Sequence, residues 1–197
     1  MTDDATFRMV LIIGAALVVP IAIYYRVRSQ SSGEKLDRRE EGWFILLTLR
    51  PIGILSMLGL LAFMIDPAWM AWSSISLPTW LRWCGVAVGV LAGTLLIWTF
   101  QTLGKNLTDT VVTRREHSLI TRGPYRWVRH PFYVAFALAV IANSLVTTNE
   151  FIFATGSLAF GLVLLRTPRE EARLLARFGE EYQRYRERTG KFWPRRK

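Results

Sequence analysis

The amino-acid sequence predicts an all-α protein: an integral membrane helical bundle of five transmembrane helices followed by a C-terminal amphipathic helix. Hydrophobic residues make up 51% of the 197 residues, and the mean hydropathy is positive. The chain contains five apolar segments, and most of its basic residues lie in alternate connections between them and in the tail. Both patterns are typical of helical membrane proteins. At this length we expect a single domain, residues 1–197.

The first three apolar segments approach the roughly 20 residues needed to cross about 30 Å of hydrocarbon. The last two hold about 15 residues each and are joined by the short connection Thr147–Glu150, so we interpret them as an antiparallel helical hairpin. Residues 1–104 would then form three N-terminal spans, and residues 105–197 a loop, the hairpin and a cytoplasmic tail. The five segments are Met9–Tyr25, Trp43–Ile65, Leu81–Leu103, Phe132–Val146 and Phe151–Leu165.

The distribution of charge predicts the orientation. Of the 25 Lys and Arg residues, 22 fall in the first connection, the third connection or the tail, whereas Asp66–Trp80 and Thr147–Glu150 hold none. The positive-inside rule then predicts an N-terminus outside the cell and a cytoplasmic C-terminus, in the cell inner membrane. We interpret the first segment as a retained span and not a signal peptide. An interfacial aromatic belt is expected from Trp69, Trp72, Trp80 and Trp83.

Composition argues against several classes of function. The net charge of +10 is better explained by topology and contact with anionic membrane lipid than by nucleic-acid binding. The single cysteine, Cys84, permits no intramolecular disulfide. His117 and His130 lack the close spacing of metal-ligand pairs, so we expect no metal site. No serine has the context of a hydrolase nucleophile.

Three local features refine the helices. Gly85, Gly89 and Gly93 recur every four residues and predict a close helix-packing face. Arg50, followed by Pro51, interrupts the second segment and either extends its side chain to the interface or joins the site. The tail from Glu170 to about Arg188 has the periodicity of an amphipathic helix on the membrane surface, and Gly179 is a candidate break.

Chemistry concentrates in two polar clusters at the ends of the predicted hairpin. The first is GPYRWVRHPFY, Gly123–Tyr133, and the second holds Arg166, Glu170, Glu171 and FGEEY, Phe178–Tyr182. Polar groups gathered at one edge of a membrane domain indicate a functional site. The alternative is a solvated surface that faces lipid headgroups.

The start of the fourth helix is a candidate anion site. Pro131 suits the first turn of a helix, where a missing N–H costs nothing, and His130 then lies near the N-cap. We expect free backbone N–H groups and the positive end of the helix dipole at this point to hold an anion. Arg129 could bind the same anion if it is a carboxylate.

Three motifs together resemble the isoprenylcysteine carboxyl methyltransferase family, which overlaps in its C-terminal half with the membrane phospholipid methyltransferases. They read HSLITRGPYRWVRHPFY (His117–Tyr133), RTPREEARL (Arg166–Leu174) and FGEEYQRY (Phe178–Tyr185). Five spans are fewer than the eukaryotic members have and match shorter prokaryotic relatives.

The resemblance implies a cytoplasmic binding site for S-adenosyl-L-methionine. It implies that Arg166 faces the methyl acceptor, and we expect Arg129 to join it in the catalytic site by binding a carboxylate. The cofactor-binding residues that it implies are His117, Ser118, Leu119, Ile120, Tyr125, His130, Pro131, Phe132, Tyr133 and Glu170.

The expected activity is methyl transfer to a lipophilic acceptor in the membrane, either a prenylated cysteine or a phospholipid. Isoprenylcysteine carboxyl O-methylation is the reaction that the motifs most resemble. Phospholipid N-methylation and small-thiol methylation remain alternatives. Two further alternatives are an NADPH-dependent sterol reductase-like protein, whose C-terminal region has a similar Arg/His-Pro-x-Tyr layout, and a non-catalytic membrane scaffold.

Overall fold

A computed structural model describes residues 2–30, 43–104 and 118–195. No strand occurs within these ranges, and the all-α prediction is confirmed. Two short 3-10 helices, Pro67–Ser73 and Gly123–Arg126, lie in the connections. The five α-helices are α1 (Thr2–Gln30), α2 (Trp43–Ile65), α3 (Thr79–Leu103), α4 (Pro131–Thr147) and α5 (Glu150–Arg188).

Each of the five apolar segments forms one of these helices. Among the described residues, α1, α2, α3 and α5 are long and apolar enough to cross a membrane. The 17 residues of α4 extend about 25 Å, somewhat less than the hydrocarbon thickness of about 30 Å. Four helices therefore meet the length for independent spanning, and a fifth span formed by α4 stays a prediction.

The start of α1, the end of α2, the start of α3 and the α4–α5 turn meet at one end of the bundle. Thr79 donates to Asp3 Oδ2 at 2.7 Å, and Arg8 Nε donates to the Met64 carbonyl at 2.6 Å. Asn149 Nδ2 reaches the Met70 carbonyl at 2.9 Å. Successive helices thus alternate in direction. We call this the Arg82 end, and the opposite end, where α4 begins, the His130 end.

Close helix contacts follow the small residues. A Cβ on Gly85 would lie 2.7 Å from Leu145 Cβ, and one on Gly89 would lie 3.5 Å from Ala142 Cβ. Both glycines therefore let α3 approach α4, as their spacing predicts. Gly93 belongs to the same row but faces α1, where Val18 is its neighbour.

A buried arginine ties three helices together at the Arg82 end. Arg82 is 5% exposed, and its Nε and Nη2 donate to the Val146 carbonyl at 3.1 and 2.9 Å. Its Nη1 forms an ion pair with Asp4 at 2.8 Å, and its guanidinium lies 4.0 Å from the centre of the Phe7 ring. Arg82 thereby satisfies a carbonyl in the last turn of α4 that has no partner within the helix.

The hairpin between α4 and α5 is confirmed. Thr148 adopts the left-handed conformation (φ 49°), and Asn149 is the N-cap of α5, whose side chain accepts from Ile152 N at 3.1 Å. This polar pair turns the chain within two residues, so the two helices run side by side in opposite directions.

The sequence predicts a fifth span followed by a separate amphipathic helix, but the structure joins the two. The fifth apolar segment and the polar tail form the single helix α5, which continues through Pro168 and kinks at Gly179, where φ is 52°. The break at the glycine is as predicted, because this region of φ strains any residue with a Cβ. The tail is also two-sided: Tyr182 and Tyr185 are buried, whereas Gln183 and Arg184 are exposed.

Candidate functional site

The α4–α5 hairpin brings the two polar clusters of the sequence together at the His130 end. The apolar part of α5 ends at Leu165, and the side chains just beyond it face the start of α4. We call the resulting group the His130 cluster; it consists of Arg129, His130, Tyr133, Arg166, Glu170 and Glu171.

Glu170 is the centre of one half of the cluster. The Tyr133 hydroxyl lies 2.6 Å from both carboxylate oxygens of Glu170 and donates to them. Arg166 Nη2 lies 3.6 Å from Glu170 Oε1, one helical turn away. His130 Nδ1 is 3.9 Å from Glu170 Oε2. The carboxylate is thus oriented by groups from both helices, and its side chain keeps an exposed fraction of 18%.

Glu171 is the centre of the other half. Arg129 Nε donates to Glu171 Oε1 at 3.0 Å, and Arg129 Nη2 lies 2.9 Å from the same oxygen. His130 Nε2 lies 3.2 Å from it, within hydrogen-bond distance. The His130 ring also stacks on Tyr133, with centroids 5.2 Å apart and planes 6° apart. Glu171 therefore holds the two residues that precede α4.

A C-terminal segment, Thr189–Trp193, packs against the same residues. The N–H groups of Arg129 and His130 donate to the carbonyls of Gly190 and Lys191 at 2.8 and 3.2 Å. Arg129 Nη1 also donates to the carbonyls of Arg186 and Thr189. Phe192 lies 5.7 Å from the His130 ring. This packing joins the end of the chain to the start of α4.

These contacts change the expected anion site. Free N–H groups around His130 were expected, but those of Arg129 and His130 are occupied by the C-terminal segment. Pro131 has no N–H, and the N–H of Tyr133 donates back to the His130 carbonyl. The N–H of Phe132 is the remaining candidate donor in this turn.

Tyr125 lies beside the cluster in the 3-10 helix before α4. Its carbonyl accepts from the Tyr185 hydroxyl at 2.7 Å, which links this helix to α5. Burial raises the pKa of Tyr125 above its usual range, and the nearby Tyr185 and Glu170 raise it further. The hydroxyl therefore stays neutral and can donate a hydrogen bond.

The remaining predicted residues are distributed around this cluster. His117 lies outside the described residues. Ser118 is exposed, and Leu119 and Ile120 are half-buried in the loop before the 3-10 helix. Pro131 is buried, and Phe132 is 39% exposed with its ring 6.1 Å from Phe100. Their roles in cofactor binding stay predictions.

The donor set of the cluster fits S-adenosyl-L-methionine. An oriented carboxylate, Glu170, suits an ammonium or ribose hydroxyls, and aromatic rings suit a sulfonium or a flat base. Thr167 adds a polar atom: its hydroxyl is fully buried and has no hydrogen-bond partner in the described part of the chain. It lies one turn before Glu171 on the same helix face.

The structure also places other candidate features. Arg50 is exposed on α2. Within the described ranges, no three His, Cys, Asp or Glu side chains are grouped so as to hold a metal ion. Cys84 is exposed and, within those ranges, unbridged.

Sequence reasoning missed the C-terminal segment and Arg82. The kink and the end of α5 place Thr189 and Phe192 against the cluster. No local sequence motif predicts this placement. Arg82 is the second residue of the third apolar segment, where no local pattern indicates a role, and its burial depends on its contact with α4.

Comparison with known proteins points to one family. A family model described as the isoprenylcysteine carboxyl methyltransferase (ICMT) family matches residues 85–176, from α3 to the polar part of α5. The cobalt-zinc-cadmium resistance protein CzcN of Cupriavidus metallidurans is 34% identical over 117 residues, 58% of this chain and 54% of that protein. The human protein-S-isoprenylcysteine O-methyltransferase is 31% identical over 60% of this chain and 43% of its own length.

The chain thus spans about half the length of the first curated relatives that it matches. One match extends further: the methanethiol S-methyltransferase of a Pseudomonas strain is 29% identical over 97% of this chain and 76% of its own length.

A solved structure shares the fold. The eukaryotic intramembrane Ras methyltransferase ICMT superimposes with a TM-score of 0.51 at 22% identity, covering 98% of this chain and 64% of that one. The motifs between His117 and Tyr185 predict the same relationship, and the match of residues 85–176 shows that the chain is similar to the isoprenylcysteine carboxyl methyltransferase family over that range.

Proposed function

We propose that this protein transfers a methyl group from S-adenosyl-L-methionine to a lipophilic acceptor at the His130 end. The observation that carries the proposal is the arrangement of Tyr133, Glu170 and Arg166 where the apolar part of α5 ends. There a polar cofactor site and the hydrocarbon of the membrane adjoin each other. The charge distribution supports a cytoplasmic location for this end, in the cell inner membrane.

The cluster offers groups for each part of the cofactor, which supplies an activated methyl group when it is bound. Glu170 would accept from the ammonium or the ribose hydroxyls. Tyr125 and Tyr133 present aromatic rings to the base or the sulfonium. The Phe132 N–H at the start of α4 would donate to the carboxylate. The loop residues His117 to Ile120, together with His130 and Pro131, would lie against the bound cofactor.

Arg129 was expected to bind a carboxylate directly. Its guanidinium contacts Glu171 and two carbonyls of the protein, so these contacts favour a positioning role. Arg129 would hold His130 and the C-terminal segment in place while other groups contact the cofactor.

Arg166 is suited to orient the acceptor. It follows Leu165, which is 67% exposed, so a lipid tail in the membrane can lie beside it. Its mostly buried guanidinium would pair with the carboxylate of a prenylated cysteine. A carboxylate acceptor is already ionised and needs no general base. Alignment for in-line displacement and exclusion of water then carry most of the catalysis.

A small thiol is the second candidate acceptor, favoured by the Pseudomonas relative, which aligns over nearly the whole chain. A phospholipid amine is the third, but it would require deprotonation before attack. The three acceptors differ in tail length and in the charge of the reacting group.

The test uses detergent-solubilised protein, methyl-labelled cofactor and acceptors with progressively shorter apolar tails. We expect labelling to fall as the tail shortens, and Arg166→Ala to raise the apparent KM for the acceptor and depress turnover while cofactor affinity changes little. Arg169→Ala, which removes an exposed arginine three residues away, is the matched control. It should leave the apparent KM for the acceptor and the turnover unchanged.

Two outcomes would contradict parts of the proposal. Equal methylation of a tailless thiol and its prenylated counterpart would rule out delivery from the membrane. Calorimetry that detects binding of NADPH but not of S-adenosylhomocysteine would overturn methyl transfer itself.

A further inference from the structure

A polar cavity lies at the Arg82 end, on the far side of the bundle from the His130 cluster. Its volume is about 550 Å³, and its walls come from α1, the end of α2, the connection to α3 and the hairpin turn at Thr148. Four charged side chains line it: Asp4, Arg8, Asp66 and Arg82. All four precede the range matched by the family model, so no role is implied for them by the motifs.

Two of these four charges are paired with each other. Arg82 binds Asp4 at 2.8 Å and otherwise donates to the Val146 carbonyl. The hydrogen bonds that this pair can form are largely made within the protein. We therefore expect the pair to line the cavity without binding an occupant.

The other two charged side chains, Arg8 and Asp66, can still form hydrogen bonds and ion pairs with an occupant. Arg8 donates through Nε to the Met64 carbonyl, and no carboxylate in the described part of the chain forms an ion pair with it. Asp66 accepts from Ala68 N through Oδ1 at 3.0 Å, and no described cation pairs with it. The cavity therefore offers one guanidinium, on α1, and one carboxylate, in the connection after α2, to the same occupant.

The cavity lies at the depth of lipid headgroups. Trp69, Trp72 and Trp80 surround this end and are 59%, 71% and 66% exposed. Tryptophans exposed in this way concentrate at the membrane–water interface. The small molecules in highest local concentration at that depth are phospholipid headgroups.

We propose that this cavity binds the headgroup of a zwitterionic phospholipid of the phosphoethanolamine type. The phosphate would lie against the Arg8 guanidinium, whose planar N–H groups match phosphate oxygens. The primary ammonium would donate to Asp66. A choline headgroup has no N–H to donate, and a glycerol headgroup has no positive charge to balance Asp66. The apolar lining contributed by Ala5, Phe63 and Leu77 accommodates the glycerol backbone.

The experiment is native mass spectrometry of the detergent-purified full chain with equimolar short-chain phosphatidylethanolamine, phosphatidylcholine and phosphatidylglycerol. We expect phosphatidylethanolamine to be retained about ten-fold more than either competitor, the difference that one charge-assisted hydrogen bond supplies. Asp66→Asn should abolish the preference over phosphatidylcholine, and Arg8→Gln should weaken binding of all three lipids. Asp66→Asn keeps the oxygen that accepts from Ala68 N and is therefore expected to fold. If Arg8→Gln does not fold, Asp66→Asn alone tests the proposal.

Asp3→Asn is the matched control. It removes the same charge at the same end, but Asp3 bonds Thr79 and does not line the cavity, so the preference should persist. Equal retention of the three lipids would overturn the proposal, as would a preference that survives Asp66→Asn. Displacement of the lipid by an equal concentration of soluble phosphoethanolamine would instead assign the site to a free metabolite and reject the lipid.

Discussion

The Tyr133 hydroxyl and the Glu170 carboxylate meet at 2.6 Å across the α4–α5 hairpin, although 37 residues separate them in the chain. The contact joins the first turn of α4 to α5 just beyond its apolar part. The pair orients the carboxylate toward the space between the two helices. A cofactor held by Glu170 would therefore depend on a tyrosine that belongs to a different polar cluster of the sequence.

Loss of the Tyr133 hydroxyl should weaken cofactor binding. In Tyr133→Phe the Glu170 carboxylate loses the hydrogen bond that orients it, so we expect the Kd for S-adenosylhomocysteine to rise about 3–10-fold. Isothermal titration calorimetry measures this change. Tyr24→Phe removes a hydroxyl from a half-exposed site on α1 and should leave the Kd unaltered; an equal effect of the two substitutions would disprove the role of Tyr133.

The two adjacent glutamates should respond differently to the same change. Glu170→Gln should raise the cofactor Kd more than Glu171→Gln, because Glu170 is the carboxylate that we propose contacts the cofactor, whereas Glu171 is paired with Arg129 and His130. Glu171→Gln weakens the ion pair to Arg129, so we expect Thr189–Trp193 to detach and the amide hydrogens of Arg129 and His130, which donate to this segment, to exchange faster. Calorimetry and hydrogen exchange on both variants separate the two roles. The reverse order of effects would show that the assignment of the glutamates is wrong.

Arg82→Met should destabilise the bundle. It leaves the Val146 carbonyl buried without its partner and Asp4 without its cation, at a cost of about 2 kcal/mol. For a chain of this size that lowers the Tm by about 4–8 °C. Arg184→Met breaks an exposed pair with Glu180 at 3.6 Å and is the control, with little change expected. Thermal unfolding in detergent compares them, and equal Tm values would contradict a structural role for Arg82.

The orientation in the membrane can be tested by cysteine labelling. Ser74 lies at the Arg82 end and Ser118 at the His130 end, and both are exposed. In a Cys84→Ala background, an impermeant reagent added to intact cells should label Ser74→Cys but not Ser118→Cys. Labelling of Ser118→Cys alone would put the His130 cluster outside the cell and reverse the topology.

The sequence by itself determined the helices, their alternation and the two polar clusters. Hydropathy locates a helix because the hydrocarbon of the membrane requires each backbone polar group to be satisfied within its own segment. The short connection Thr147–Glu150 permits only a hairpin, and the hairpin alone brings His130 near Glu170 and Glu171. The glycine row predicts a close packing face on α3 for a similarly local reason, since two helix backbones come close only where side chains are small. The structure adds that Gly85 and Gly89 of this row face α4.

Only the tertiary structure decided how those groups are paired. Tyr133 selects Glu170 and Arg129 selects Glu171 because the register of α4 against α5 decides which neighbouring carboxylate faces which donor, and packing sets that register. The C-terminal segment reaches the N–H groups of Arg129 and His130 through the kink at Gly179, whose direction no local pattern specifies. Arg82 and the cavity beside it depend on where the ends of four elements converge, and such long-range contacts have no periodic signature in the chain.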